Sequence, residues 1–186
     1  MRAIAIIGLT LLAGLGGGNG FGQDTASLPV VRVVKYDGLT EEVLKHRGKV
    51  VLVDFWSTLC TPCRKKFPDL LVLQEKYGKD GFVFLPVSID EINENFPADK
   101  VKAKVLKDLE YLRTLRKELG VLKVPESLIL EGWEPIVKDK LHFDGTIPCL
   151  FLFNRQGKWM KYGGGRDAEV HVEEIEKQVV EFLKQK

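Results

Sequence analysis

Val50-Val51-Leu52-Val53-Asp54-Phe55-Trp56 is a near-continuous apolar run with a single acid inside it. A run of that length without polar alternation is the pattern of a central strand covered on both faces, so the chain needs helices on either side of a sheet. The flanking segments supply them. Cys60 to Tyr77 carries apolar residues at Phe67, Leu70, Leu71, Val72 and Leu73 and meets a stop at Gly78, which predicts a helix interrupted at Pro68. Phe82 to Ile89 reads as the next strand, with Pro86 arguing for an edge position or a bulge. Upstream, Val30 to Tyr36 reads as a strand that Asp37-Gly38 breaks before a short helical stretch from Glu41 to Lys45.

Downstream, Val101, Val105, Leu109, Leu112, Leu115 and Leu119 recur with helical spacing and Gly120 closes the pattern, so an amphipathic helix is predicted from Asp99 to Leu119. Its basic residues are interspersed with Asp108, Glu110 and Glu118 and read as a solvated face. Ser127 to Leu130 is a short apolar segment, Trp133 to Leu141 a helix and Pro148 to Phe153 a strand. A turn at Asn154 to Gly157 and a strand at Trp159 to Tyr162 complete a hairpin. Gly163-Gly164-Gly165 precedes a last helix whose inner face holds Val170, Ile175, Val179, Phe182 and Leu183. Strands alternating with helices define the α/β class.

At 186 residues, against a prior of roughly 150 per domain, the chain holds one globular unit. Lys plus Arg number 28 against 26 Asp plus Glu, a balance too even to imply a nucleic-acid or anionic-membrane surface. Met1-Arg2, the apolar run Ala3 to Leu15 and the small residues around Gly16 to Gly22 match the three regions of a secretory signal. The expectation is a cleaved signal peptide at residues 1–22, with Gly20 and Gly22 at the positions the peptidase inspects, and a domain at 23–186. The apolar run falls short of the roughly 20 residues that cross a bilayer, so no permanent membrane anchor is expected. Leu15 stands where a lipoprotein needs its cysteine. The expected location is periplasmic or secreted, where disulfides persist.

Cys60-Thr61-Pro62-Cys63 falls at the start of the predicted helix, where unpaired backbone N–H groups and the helix dipole favour an anion. A thiolate at Cys60 is stabilised there and becomes a nucleophile. Cys63, one turn on and on the same face, is placed to attack a mixed disulfide formed at Cys60. Two other readings stand beside this one. A structural disulfide closing so short a loop removes little unfolded-state entropy. Half of a zinc site would need further ligands, for which only Cys149 and the scattered His46, His142 and His171 remain. No metal or other cofactor is expected. Asp54, costly inside an apolar strand, is either a general base whose pKa burial raises, taking the proton of Cys63, or a carboxylate satisfied by a nearby lysine or backbone amide.

Val53 to Arg64, with Asp54, Trp56, Cys60, Pro62 and Cys63 in place and Pro68 following, resembles the active-site segment of thioredoxin-fold proteins. Gly145-Thr146-Ile147-Pro148-Cys149-Leu150-Phe151-Leu152-Phe153-Asn154 with Gly157 is similar to that family's second signature, which holds a cis-proline facing the cysteines. The predicted Asp99 to Leu119 helix and Ser127 to Leu130 strand between them resemble the insertion of exported TlpA-like and ResA-like thiol–disulfide oxidoreductases. The resemblance runs from about Val31 to the C-terminus. It implies a thioredoxin fold, a central mixed sheet flanked by helices, with a helix and a short strand inserted between the third strand and the cis-proline. It also implies that Cys60 attacks, Cys63 resolves, Asp54 is the buried acid, and Trp56, Ile147 and Pro148 border the substrate. As an X-Pro bond, Ile147–Pro148 is chemically eligible to be cis.

The activity so implied is that of an exported, monomeric protein disulfide oxidoreductase that reduces disulfide-containing protein substrates. It would draw electrons from a membrane thiol donor and serve cytochrome c maturation or thiol repair. The alternatives are a disulfide-forming oxidase of the same fold and a non-enzymatic interaction protein docking through the inserted helix. Three positions depart from the family. Leu59 stands where thioredoxins usually have a second tryptophan. Lys66 stands where ResA-like proteins often carry a glutamate, and a positive charge there favours thiolates. Cys149 stands where a small polar residue is commoner, and reads either as a buried strand thiol or as a third redox thiol able to capture Cys60.

Overall fold

The computed structural model describes residues 28–120, 122–165 and 169–185, and the expected signal segment lies outside them. The elements run β1 (Val31–Val34), α1 (Tyr36–Lys45), β2 (Val50–Trp56), α2 (Thr61–Tyr77), β3 (Phe82–Ser88), α3 (Ala98–Leu112), β4 (Ser127–Leu130), α4 (Trp133–Leu141), β5 (Cys149–Phe153), β6 (Trp159–Gly163) and α5 (Val172–Lys184). The strands form one sheet in the order β1-β4-β3-β2-β5-β6. The first four of that order are parallel, while β5 runs antiparallel to β2 and β6 to β5. This is the mixed sheet that the resemblance implied, with α3 and β4 inserted ahead of the Pro148 segment.

All seven residues of β2 are buried because both of its faces are covered. Val50, Leu52 and Trp56 pack in a cluster with Phe67 and Leu70 of α2, Leu109 of α3 and Val179 of α5. Val51, Val53 and Phe55 pack the other way, with Leu39 of α1, Val137 of α4 and Phe143. The period of two therefore sets Asp54, between Leu52 and Trp56, on the face that α2 covers.

Three expectations need correction. Gly38 does not break the chain: α1 already starts at Tyr36, and Gly38 sits inside it where a Cβ would come within 3.1 Å of Val34 Cβ. The residue marks a close approach of helix to strand. Pro86 lies in an interior strand, between β2 and β4. It is tolerated because the β3–β4 pairing begins only at Val87, and the Phe84 N–H, two residues earlier on the same edge, goes to Gln74 Oε1 at 2.6 Å. The helix expected to reach Leu119 ends at Leu112. There the Thr114 N–H and hydroxyl both turn back to the Tyr111 carbonyl, and the Leu122 N–H reaches the Arg113 carbonyl at 3.1 Å, reversing the chain and leaving Leu115 and Leu119 exposed.

Candidate active site

Cys60 is the N-cap of α2 and Pro62 lies in the first turn, where its missing N–H leaves no partner wanting. The Cys60 Sγ accepts the Cys63 N–H at 3.2 Å, a sulfur doing the capping work usually given to an oxygen. Cys60 and Cys63 are joined in a disulfide with Cα atoms 5.3 Å apart. Their exposures differ: Cys60 retains 9% and Cys63 none. Cys60, the more exposed of the two, thus sits at a helix N-terminus that favours a thiolate, and Cys63 is enclosed. Beside them Leu59 stands 80% exposed.

One turn beyond Cys63, Lys66 points into the core and places its Nζ 2.6 Å and 2.7 Å from the two oxygens of Asp54. Both groups are buried, Asp54 completely. Burial pushes the Asp54 carboxyl above its ordinary range and the Lys66 ammonium below its own, and each charge works against the shift of the other. Asp54 is therefore not a lone acid. Lys66, singled out in the sequence only as a departure, is its partner, brought there by the packing of α2 across β2.

The Ile147–Pro148 bond is cis. It leads into β5, whose Cys149 pairs with Phe55 of β2, so Pro148 is level with the end of β2 that carries the cysteines. Cys149 itself is a free, buried thiol. It packs with Phe55 and Phe151 on the α1 and α4 side of the sheet, whereas Cys60 and Cys63 belong to the other side. Burial pushes its thiol up to about 12. Trp56 is fully buried, with its ring 5.1 Å from that of Phe67. Ile147 is partly buried against both sides of the core.

Sequence reasoning passed over two groups around this site. Asp90, just past β3, is buried and takes hydrogen bonds from the loop ahead of Cys60. Arg64 clamps Asp108 of α3 through Nε and Nη2, at 2.9 Å and 2.7 Å, and lies over the Tyr111 ring. Arg64, Asp108 and Tyr111, with Thr58, Lys104 and Lys107, line a groove of about 460 Å³ next to the loop that precedes Cys60. Among the described residues no group of three or more His, Cys, Asp or Glu is arranged to hold a metal ion.

A dithiol capping the helix after the central strand, across from a cis-proline on the antiparallel neighbour, is the arrangement of the thioredoxin fold. Residues 48–159 match the family described as thioredoxin-like, and the chain belongs to that family. It is 37% identical over 60 residues to a thioredoxin of Coprinus comatus, covering 32% of this chain and 57% of that one. It is 31% identical over 155 residues to a thiol-disulfide oxidoreductase ResA of Bacillus cereus, covering 82% of this chain and 76% of that one. Among solved structures, the thioredoxin domain of a thiol-disulfide oxidoreductase from Bacteroides vulgatus shares the fold, with a TM-score of 0.51 at 23% identity over 76% of this chain and 84% of that one. Three relatives, the Coprinus comatus thioredoxin and two other ResA proteins, are matched over only 57% or 63% of their own length.

Proposed function

We propose that this protein is an exported thiol–disulfide oxidoreductase that reduces disulfides in proteins. The observation that carries the reading is the unequal exposure of the two disulfide-bonded cysteines at the N-terminus of α2, with Cys60 at 9% and Cys63 at zero. In the reduced protein the Cys60 thiolate attacks a substrate sulfur, forming a mixed disulfide and releasing the other substrate sulfur as a thiolate. Asp54 takes the proton of Cys63, and the Cys63 thiolate attacks Cys60 Sγ. The second substrate sulfur leaves as a thiolate, takes a proton from solvent, and two electrons have passed from the dithiol to the substrate. The protein is left as the Cys60–Cys63 disulfide.

A substrate chain lies against Ile147 and Pro148, meeting the Ile147 backbone, while Trp56 supports the site from below. Recharging calls for an external thiol reductant, and a membrane thiol donor suits a protein exported by residues 1–22. The fold needs no second copy for this chemistry, in keeping with a monomer. Cytochrome c maturation and general thiol repair are the pathways in which such a reductase fits.

The test is the reduction potential of the Cys60/Cys63 pair, measured in glutathione or dithiothreitol buffers with mass-resolved alkylation. A value near about −270 mV supports a reductase, and one near about −120 mV makes the protein an oxidant that introduces disulfides. A pair that does not cycle at all overturns the enzymatic reading.

A further inference from the structure

Asp90 is 7% exposed and gathers the polar groups of the loop that joins β2 to Cys60. Its Oδ1 accepts the hydroxyls of Ser57 at 3.2 Å and Thr58 at 2.5 Å. Its Oδ2 accepts the Thr58 backbone N–H at 2.9 Å and the Ser88 hydroxyl at 2.6 Å. The Ser57 oxygen in turn accepts the Leu59 N–H at 3.2 Å, and the Ser57 carbonyl accepts the Cys60 N–H at 3.0 Å. Each of residues 57, 58 and 59 is thus tied to one carboxylate, directly or through a single hydroxyl. Thiolate stabilisation by a helix N-terminus falls off within the first turn, so the sulfur must be held in line with those N–H groups.

We propose that Asp90 is a positioning residue for the dithiol: by collecting the donors of residues 57 to 59 it holds Cys60 Sγ over the N-terminus of α2, and so keeps that sulfur a thiolate in the reduced protein. The proposal rests on the exchange reading above. A carboxylate near a thiolate also repels it. Here that repulsion is secondary, because the charge of Asp90 is shared among four donors and faces Lys104 of α3 at 3.6 Å. The other charged groups that line the groove beside the loop are Arg64 on α2 and Lys107 and Asp108 on α3, the first and last paired with each other.

The test uses the full chain, as wild type and as Asp90→Ala, Asp90→Asn and Thr58→Val. Two quantities are read: the pH midpoint of Cys60 alkylation by iodoacetamide, resolved by mass, and the equilibrium constant of the pair with glutathione. Asp90→Ala raises the Cys60 midpoint and moves the equilibrium about tenfold toward the disulfide, which is about 30 mV. Asp90→Asn, retaining one acceptor oxygen, falls between it and wild type. Thr58→Val moves both quantities less, in the same direction. A Cys60 acid dissociation constant and a glutathione equilibrium constant both within twofold of wild type in a folded Asp90→Ala overturn the proposal, because a purely structural anchor changes only the melting transition. A lowered Cys60 midpoint also overturns it, since charge and not position then sets the reactivity. If Asp90→Ala does not fold, Asp90→Asn and Thr58→Val decide by the same criteria. A wild type that does not exchange with glutathione removes the reading on which the proposal stands, and the proposal with it.

Discussion

Lys66 opposes the rise that burial imposes on the Asp54 carboxyl. A carboxylate buried alone stays protonated; one held through both oxygens by an ammonium has a partner that opposes that tendency. Removing the lysine leaves the raised Asp54 with nothing to counter burial. The sign follows from proton counting. The folded state then holds a proton that the unfolded state has released, so stability is present at low pH and is lost as pH rises through the folded value. Lys66→Met is expected to cost about 3–5 kcal/mol at pH 8 and clearly less at pH 5, read from urea unfolding at both. Asp54→Asn combined with Lys66→Met recovers most of that loss, because a neutral pair leaves no uncompensated charge. A second expectation concerns the thiols. In reduced protein at pH 7, Cys60 is alkylated first, while Cys149, with its thiol near 12, reacts only on unfolding, a sequence that peptide mass mapping resolves. The dithiol and Asp54 were legible because helix start, strand pattern and cysteine spacing are all local. The identity of the lysine was not, since it depends on how α2 lies across β2. Asp90 was still less so, as its loop partners are more than thirty residues away in the chain.

Among the elements, α2, β2 and the β5–β6 hairpin were readable because each carries an uninterrupted pattern of its own. The end of α3 was not: Leu115 and Leu119 continue the helical spacing, yet the Thr114 hydroxyl offers the Tyr111 carbonyl an alternative to another turn. Pro86 misled for a related reason, since an interior strand admits a proline wherever its neighbour has not yet begun. Two elements are fastened near the site by contacts open to test. At the end of β6, Gly163 has φ +72 and a Cβ there would collide with the Pro148 carbonyl oxygen. Gly163→Ala is therefore expected to cost about 2 kcal/mol or more by urea unfolding and to slow exchange with a protein disulfide, because the strand that shapes the Pro148 segment must shift. The inserted helix α3 is tied to α2 by the two-pronged Arg64–Asp108 pair, which is partly exposed. Asp108→Ala is expected to cost about 1 kcal/mol, with the loss shrinking at high salt.

Across the whole molecule, the two faces of the sheet divide the work. The α2, α3 and α5 side carries the dithiol and the buried ion pair, while the α1 and α4 side holds a second hydrophobic cluster that includes Cys149. Leu59 is the apolar residue that the first of these sides turns outward at the dithiol. Leu59→Ser is expected to leave stability within about 0.5 kcal/mol of wild type. It should lower kcat/KM for a protein disulfide about tenfold while sparing a small disulfide such as oxidised glutathione, because only the larger substrate presses on that surface. Among the described residues the sheet also has two free margins, β1 and β6. On β6, Trp159 and Met160 are about half exposed and offer a sticky ribbon of unpaired backbone, the kind of template on which chains stack into fibrils. Lys161 follows them in the same strand with Lys158 just ahead, so a newcomer adding itself along that margin would have to bury an ammonium. The hairpin that shapes the Pro148 segment thus carries its own gatekeepers against aggregation.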